Sequence, residues 1–597
     1  MLYPVSNLFR DVMEVGPFWK FITDKHDEGE QKKWTGGFES DVEIAVPGSW
    51  NEQLEEIGLL HYVGAAWYSK MVFLPHSFAG KRVWLRIGSA DFSCKVWVNG
   101  TLAGEGEFGF LPNDFEITSL ARPGEKMLVV VRVSNELSDD SIPQGITASD
   151  YTAENRIREE TNPPARFDFS PFGSIHRPVV IYSTPATFAN NIRVNTSLFD
   201  GSTGKIKVFV EIEGNDSVEM VARLDDNKGR AIPFSITRLS AGSLELTVPN
   251  CRFWSDKDPY LYDLTVSLIR NGASVDEYAL QVGVREVRIE GNSLLLNGHE
   301  IFLRGFGKHE DFAVVGRGLV PPLVVKDFQM MKWINSNSFR TSHYPYSEEV
   351  LLYADRAGIL VISEAPAVSL DLGRAGNSMK ENHKKFIRRM IERDYNHPSV
   401  IVWSLGNEPN IIGSEGYYDG TGKNYWKEVF ETARELDSTR PVTVPNCSRA
   451  GIDDPVFEFS DILSINRYYG WYEYPGNLDL AIEKLADEMS AIHKRYNKPV
   501  LVTEFGADSL VGSHSMSCQM FTEEYQAELI ERYVRHVEST TYAIGEMVWN
   551  FADFRTPQHF RRVVLNLKGV FTRSREPKLA AFRLKELWGR KKNGDIK

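Results

Sequence analysis

Two glutamates in this chain stand where strand-like runs end. Ile401-Val402-Trp403-Ser404-Leu405 has the apolar texture of a buried parallel strand and breaks off at Gly406-Asn407-Glu408-Pro409. Pro499-Val500-Leu501-Val502-Thr503 runs out in the same way into Glu504-Phe505-Gly506. Paired strand-end carboxylates suit acetal cleavage with retention. One carboxyl, kept protonated, assists the leaving oxygen, and the other, ionised, attacks the anomeric carbon. Their surroundings must hold two similar pKa values apart, and this chemistry predicts carboxyls about 5–5.5 Å apart. Asn407 offers an amide to a sugar 2-hydroxyl, and Thr503 offers a hydroxyl to order Glu504.

Such a pair needs a frame. From residue 291 onward, strand-like runs at 301–305, 338–342, 358–362, 401–404, 442–444, 462–466, 500–503 and 545–550 alternate with helical patterns such as 382–394 and 523–539. Eight such units predict a (β/α)8 TIM barrel over 291–597. Glu408 then ends the fourth strand and Glu504 the seventh, both on the face where this fold gathers catalytic groups. Residues 1–183 read as all-β. Their short runs at 67–73, 82–87 and 128–133, with an Asn99-Gly100 hairpin turn, predict a β-sandwich of the jelly-roll kind. Residues 184–290 alternate polar and apolar side chains, as in Lys205-Ile206-Lys207-Val208-Phe209-Val210, and predict an immunoglobulin-like sandwich. Residues 144–174 break the first pattern, and a long aperiodic excursion inside a compact domain is usually functional or disordered.

Composition narrows the function classes. The 597 residues are 42% hydrophobic and 25% charged, an ordinary globular balance with room for three or four domains. There are 68 Lys and Arg against 81 Asp and Glu, for a formal charge of −13, and no basic stripe that would serve a nucleic-acid partner. No apolar run is long enough to span a bilayer. The first residues lack a basic segment followed by an apolar one, so the chain as written reads as cytoplasmic, with secretion open if a leader has been removed. Cys94, Cys251, Cys447 and Cys518 are far apart and match no metal-ligand spacing; they read as free buried thiols, and neither metal nor cofactor is called for.

Further motifs point the same way: Gly305-Phe306-Gly307-Lys308-His309-Glu310-Asp311, Arg340-Thr341-Ser342-His343-Tyr344-Pro345-Tyr346, Trp403-Ser404-Leu405-Gly406-Asn407-Glu408-Pro409 and Asn466-Arg467-Tyr468-Tyr469-Gly470-Trp471-Tyr472. Through these motifs the chain resembles glycoside hydrolase family 2 over essentially its whole length, most closely the members acting on β-glucuronides. The resemblance implies a retaining, exo-acting hydrolase that releases D-glucuronate and an aglycone, with Glu408 as acid/base and Glu504 as nucleophile. It implies that Asn566 and Lys568, in Asn566-Leu567-Lys568, hold the C6 carboxylate of the sugar, with Arg562 nearby. Physics agrees, since an ammonium and an amide donor make charge-assisted bonds that a neutral hexose cannot return. It also implies that Asp168 reaches in from the N-terminal domain to sugar hydroxyls, which gives the 144–174 excursion a purpose. Tyr468 is implied beside the nucleophile, Tyr472 toward the sugar carboxylate, Trp549 under the ring and His343 on the sugar. The implied partners are a small-molecule glucuronide and further copies of the chain, as a dimer or tetramer.

Three readings compete. A β-galacturonidase, whose sugar differs only at C4, stays open. A β-galactosidase or β-mannosidase has no use for Lys568, and a non-catalytic carbohydrate-binding protein does not account for two glutamates in unbroken contexts. One stretch departs from the family pattern: after Ala365-Pro366 the chain enters a helix quickly, across 367–381, where gut-bacterial relatives often carry a longer loop over small aglycones. That predicts an open entrance and a bulky aglycone, such as a saponin or a polysaccharide end.

Overall fold

The computed structural model describes residues 2–145, 161–214, 217–240, 242–373, 377–409 and 422–590. Its N-terminal part is an antiparallel sandwich. One sheet orders Val12–Glu14, Val179–Thr184, Arg82–Ile87 and Asn113–Glu116; the other orders Glu43–Ala45, Phe18–Asp24, Ala65–Phe73, Lys126–Ser134, Ser93–Val98 and Thr101–Gly106. Trp19, Trp50, Tyr68, Val96, Val131 and Ile181 fill the space between them. Asn99 and Gly100 join the last two strands with φ of 50° and 80°, the double left-handed turn that the dipeptide predicts. A second sandwich follows, with four strands on one side and three on the other, and Gly204–Glu213 buries alternate residues along its length.

The remainder is the barrel. Its parallel strands are β1 (Leu303–Lys308), β2 (Ser338–Thr341), β3 (Leu360–Glu364), β4 (Val400–Ser404), β5 in two halves (Val442–Thr443 and Asn446–Cys447), β6 (Leu463–Asn466), β7 (Val500–Glu504) and β8 (Ala543–Val548). Pairing of β1 with β8 closes the ring. The expected fifth strand, 442–444, is interrupted at Val444-Pro445, because proline has no N–H to give a ladder. The first half of β5 pairs with β4 and the second with β6. The expected first strand, 301–305, begins two residues late and runs on through Gly307 to Lys308. The apolar residues before it belong to a hairpin at His299–Ile301. Gly307 is required there, since a Cβ would sit 2.5 Å from the Trp549 ring.

The predicted helix at 382–394 begins earlier, as Asn377–Asp394, whereas Glu523–Ser539 has the predicted limits and is capped by the Thr522 hydroxyl on the Tyr525 N–H. Buried and half-buried ion pairs lock the first sandwich onto the barrel. Arg573 reaches both Glu52 (2.8 Å) and Asp311 (2.5 Å), Arg555 also meets Glu52 (2.6 Å), and Arg317 pairs with Asp91. The four cysteines are free thiols as expected, but Cys518 is half-buried rather than buried. Residues 146–160 of the 144–174 excursion and 374–376 of the entrance segment lie outside the described residues.

Candidate active site

Glu408 and Glu504 leave the carboxyl ends of β4 and β7 and meet over the mouth of the barrel. Glu408 has a left-handed backbone, φ 46°, which costs about 1–2 kcal/mol in a non-glycine residue. Its N–H donates to Pro445 O (2.8 Å) at the break in β5, and Asn407 N donates to Ala367 O (3.0 Å), so both flanking strands fix the turn. Its Oε1 accepts from Asn466 Nδ2 at 2.9 Å. Burial, with the charge of Glu504 second, pushes the Glu408 carboxyl up to about 8. At neutral pH it therefore carries its proton.

Glu504 is held as an anion's partners would hold it. Arg340 Nη2 donates to Oε1, and Tyr468 OH donates to Oε2 at 2.6 Å. Arg340 projects from β2, wholly buried, and also donates to Glu364 Oε2 (2.7 Å) and Asn407 Oδ1 (3.3 Å). Burial disfavours its charge, but Glu364 and Glu504 more than offset that and keep the guanidinium ionised. Glu364, at the end of β3, further accepts from His343 Nδ1 (2.7 Å) and Ser404 Oγ (2.8 Å). Burial alone would raise its pKa, and Arg340 and His343 outweigh it to hold the carboxyl below its usual range. His343 stacks on Trp549 (5.0 Å between centroids, 20° between planes) with its Nε2 3.8 Å from Glu504. The two carboxyls thus differ in their partners, a guanidinium and a phenol on Glu504 against a single amide on Glu408.

A cationic corner adjoins this pair. The ring of Tyr468, whose hydroxyl is on Glu504, lies 5.2 Å from that of Tyr472, whose hydroxyl accepts from Lys568 Nζ at 2.9 Å. Lys568 is 1% exposed, and the rings of Tyr472, Trp471 and Tyr468 stand 4.7, 5.3 and 5.8 Å from its ammonium. Its charge partner is Asp508 Oδ2 at 2.5 Å. Arg562 forks onto Asp168, with contacts of 2.5, 3.0 and 3.1 Å, and Asn566 Nδ2 donates to the same carboxylate at 2.7 Å. The N-terminal sandwich thereby does send Asp168 to the barrel mouth. Arg562 Nη1 is buried with no hydrogen-bond partner among the described residues, a donor that an arriving acceptor would satisfy.

Three family models together cover nearly the whole chain: the family 2 sugar binding domain over residues 12–185, glycosyl hydrolases family 2 over 187–285, and the family 2 TIM barrel domain over 287–593. The chain belongs to glycosyl hydrolase family 2. Among family 2 relatives, the β-glucuronidase of Paenibacillus borealis is 37% identical over 99% of this chain and 98% of its own, and that of Homo sapiens 35% identical over 98% and 92%. Two solved structures superimpose over 99% of both chains: the β-D-glucuronidase of Dictyoglomus thermophilum (37% identity, TM-score 0.88) and the β-glucuronidase of Ruminococcus gnavus (36% identity, TM-score 0.91). The R. gnavus enzyme has also been solved in complex with D-glucuronic acid, at a TM-score of 0.90 to this chain.

Within this family 2 site, all the residues singled out from sequence (Glu408, Glu504, Asp168, His343, Asn407, Tyr468, Tyr472, Trp549, Arg562, Asn566 and Lys568) belong to the two connected groups just described. One expectation is corrected. The Thr503 hydroxyl does not order Glu504; it donates to Asn466 Oδ1 at 2.7 Å, and it is Asn466 that bonds Glu408. The Asn407 carbonyl accepts from Asn466 (3.0 Å) and Arg340, which leaves the NH2 end to meet a hydroxyl. Four residues with central contacts carry no assignment from sequence: Arg340, Glu364, Asn466 and Asp508. Glu364 had a usable signal, because Val361-Ile362-Ser363-Glu364-Ala365-Pro366 is a third strand running out into a glutamate. Burial alone would raise the Asp508 carboxyl, and Lys568 and Arg562 hold it below its usual range. Among the described residues no group of three or more His, Cys, Asp or Glu side chains could hold a metal ion, and no helix is long and apolar enough to cross a membrane.

Proposed function

We propose that this family 2 enzyme is an exo-acting β-glucuronidase that hydrolyses β-D-glucuronides with retention, using Glu504 as nucleophile and Glu408 as acid and base. The observation that carries the substrate is the buried Lys568 ammonium, joined through the Tyr472 and Tyr468 pair to the carboxylate of Glu504. A sugar carboxylate lying across Asn566, Lys568 and the buried Arg562 Nη1 brings the anomeric carbon to the glutamates. The likeness to β-glucuronidases along nearly the full chain supports the same reading.

The steps follow from the two environments. Glu504 attacks C1 while Glu408 gives its proton to the glycosidic oxygen, so the aglycone leaves neutral and the sugar becomes an ester of Glu504. Esterification removes the charge that helps keep the Glu408 pKa high, and its pKa falls. Glu408, now an anion, takes a proton from water, whose oxygen attacks C1 from the face the aglycone left and releases Glu504. Two inversions give net retention. His343 and Glu364 steady Arg340 against the nucleophile, Trp549 lies beneath the sugar ring, and Asp168 and the Asn407 NH2 bond its hydroxyls. An aglycone larger than a simple phenol, and assembly as a dimer or tetramer, complete the proposal. Rates on small against bulky glucuronides and light scattering check these two points.

The pH profile follows from the proton on Glu408. Because the acid form is the working form and its pKa stands at about 8, kcat/KM holds through neutrality and falls as pH rises through about 8 in the free enzyme. A stopped assay of aryl β-glucuronide hydrolysis from pH 5 to 10 measures this, and a basic limb near 5 would contradict it. Substrate class is tested on matched aryl β-D-glucuronide, β-D-galacturonide and β-D-galactoside. The glucuronide is expected to exceed the galactoside by about 10³-fold or more in kcat/KM, since a site built around a buried charge rejects a sugar that cannot satisfy it. Equal or better cleavage of the galactoside would refute the substrate assignment.

A further inference from the structure

A second buried lysine lies directly behind Lys568. Lys578, 1% exposed, places its Nζ on Asp553 Oδ1 (2.8 Å), Leu567 O (3.0 Å) and Ser509 O (3.2 Å). Those are three acceptors for three ammonium hydrogens, so the group is fully satisfied inside the protein. It has nothing left for a substrate, yet two of its acceptors are backbone carbonyls of the segments that carry the cationic corner. Leu567 sits between Asn566 and Lys568, and Ser509 follows Asp508.

The same segments are tied wherever they could slide. Leu567 N donates to Asp508 Oδ1 (2.9 Å), and Ser509 N donates to Leu567 O (3.1 Å). Gly569 N donates to Asp553 Oδ1 (2.9 Å), the oxygen that Lys578 holds. Gln526 Nε2, from the helix Glu523–Ser539, reaches Ala507 O (2.9 Å), Lys568 O (3.3 Å) and Gly569 O (3.1 Å). Gly569 itself admits no side chain, because a Cβ would lie 2.1 Å from Asp553 N. Among the described residues, Lys578 alone bonds the 508–509 segment, the 566–568 segment and Asp553 with one charged group.

We infer that Lys578 is a positioning residue for sugar-carboxylate recognition: its ammonium fixes the Asn566-Leu567-Lys568 segment against Asp508-Ser509, so that Lys568 Nζ is presented at one depth and one angle. The inference rests on the reading that Lys568 takes the sugar carboxylate. A positioning group for a contact made equally in ground and transition states acts on KM, whereas general loosening of the barrel lowers kcat and thermal stability together.

The test compares four proteins: wild type, Lys568→Ala, Lys578→Met and Lys578→Met with Asp553→Asn. The double variant removes the carboxylate that the single one would leave buried without its cation, so it folds even where the single variant does not. For the double variant, KM for an aryl β-D-glucuronide is expected to rise about tenfold or more, with kcat within about threefold of wild type and the melting temperature within a few degrees, the signature of lost uniform binding. An unchanged KM, or a fall in kcat with KM unaltered, would overturn the inference alone, provided Lys568→Ala has lost glucuronide preference. If Lys568→Ala keeps that preference, the clamp reading falls and the role of Lys578 falls with it.

Discussion

Replacing Glu504 by glutamine is expected to lower kcat on aryl β-glucuronides by on the order of 10⁴ to 10⁶, the scale of removing a catalytic nucleophile. An amide keeps the shape and the contacts with Tyr468 but is far too weak a nucleophile to form the ester. Binding should survive, because the groups that grip the sugar (Lys568, Asn566, Arg562) lie on other segments and keep their partners. One consequence separates this role from a structural one. After burial, the charge of Glu504 does most to raise the pKa of Glu408, so in the glutamine variant Glu408 should titrate below its wild-type value of about 8. Substrate binding by calorimetry and the titration of Glu408 by carboxyl NMR check both points. Turnover near that of the wild type would exclude Glu504 as nucleophile.

Lys568→Ala is expected to lower kcat/KM on glucuronides by about 10² to 10⁴, while leaving any slow cleavage of β-galactosides within a few-fold. Two losses add here. The charge-assisted bond to the sugar carboxylate disappears, and Asp508, 2.5 Å from the ammonium in the wild type, is left as a buried anion facing an anionic substrate. Lys568→Ala with Asp508→Asn removes that repulsion and should recover part of the loss, by about tenfold if the like-charge contact contributes on the scale of buried groups. Steady-state kinetics on the paired substrates read this directly. Loss of both activities in equal proportion would mean that the lysine supports the barrel rather than the substrate.

What could be read from sequence was what leaves a local signature. The two glutamates stand out because an apolar strand has a period and an abrupt end, and Asn99-Gly100 because only certain residues accept two left-handed conformations. The eight barrel strands were legible for the same reason, with errors where local signals mislead. The apolar residues before β1 belong to a hairpin, and Pro445 splits β5. Long-range pairing leaves no such signature. Arg340 lies 164 residues from Glu504 and 24 from Glu364, and a lone arginine in a buried strand does not declare which carboxylates it will meet across a barrel. Adjacency in sequence suggests Glu504 as the partner of the Thr503 hydroxyl, but a strand sends successive side chains to opposite faces, and the hydroxyl finds Asn466 on the neighbouring strand instead. Asp508 is one more loop acid until the fold sets it beside Lys568.

Retention by double displacement requires Glu504 to form a covalent bond to the sugar. A 2-deoxy-2-fluoro-β-D-glucuronyl fluoride tests it most directly. The electronegative fluorine at C2 slows both steps by disfavouring the oxocarbenium-like transition state, and the good leaving group keeps the first step the faster of the two, so the ester accumulates. Intact mass followed by peptide mapping is expected to find one sugar per chain, on the peptide carrying Glu504, with activity lost in proportion. A label on Glu408, or full activity with no label after prolonged exposure, would exclude Glu504 as the nucleophile.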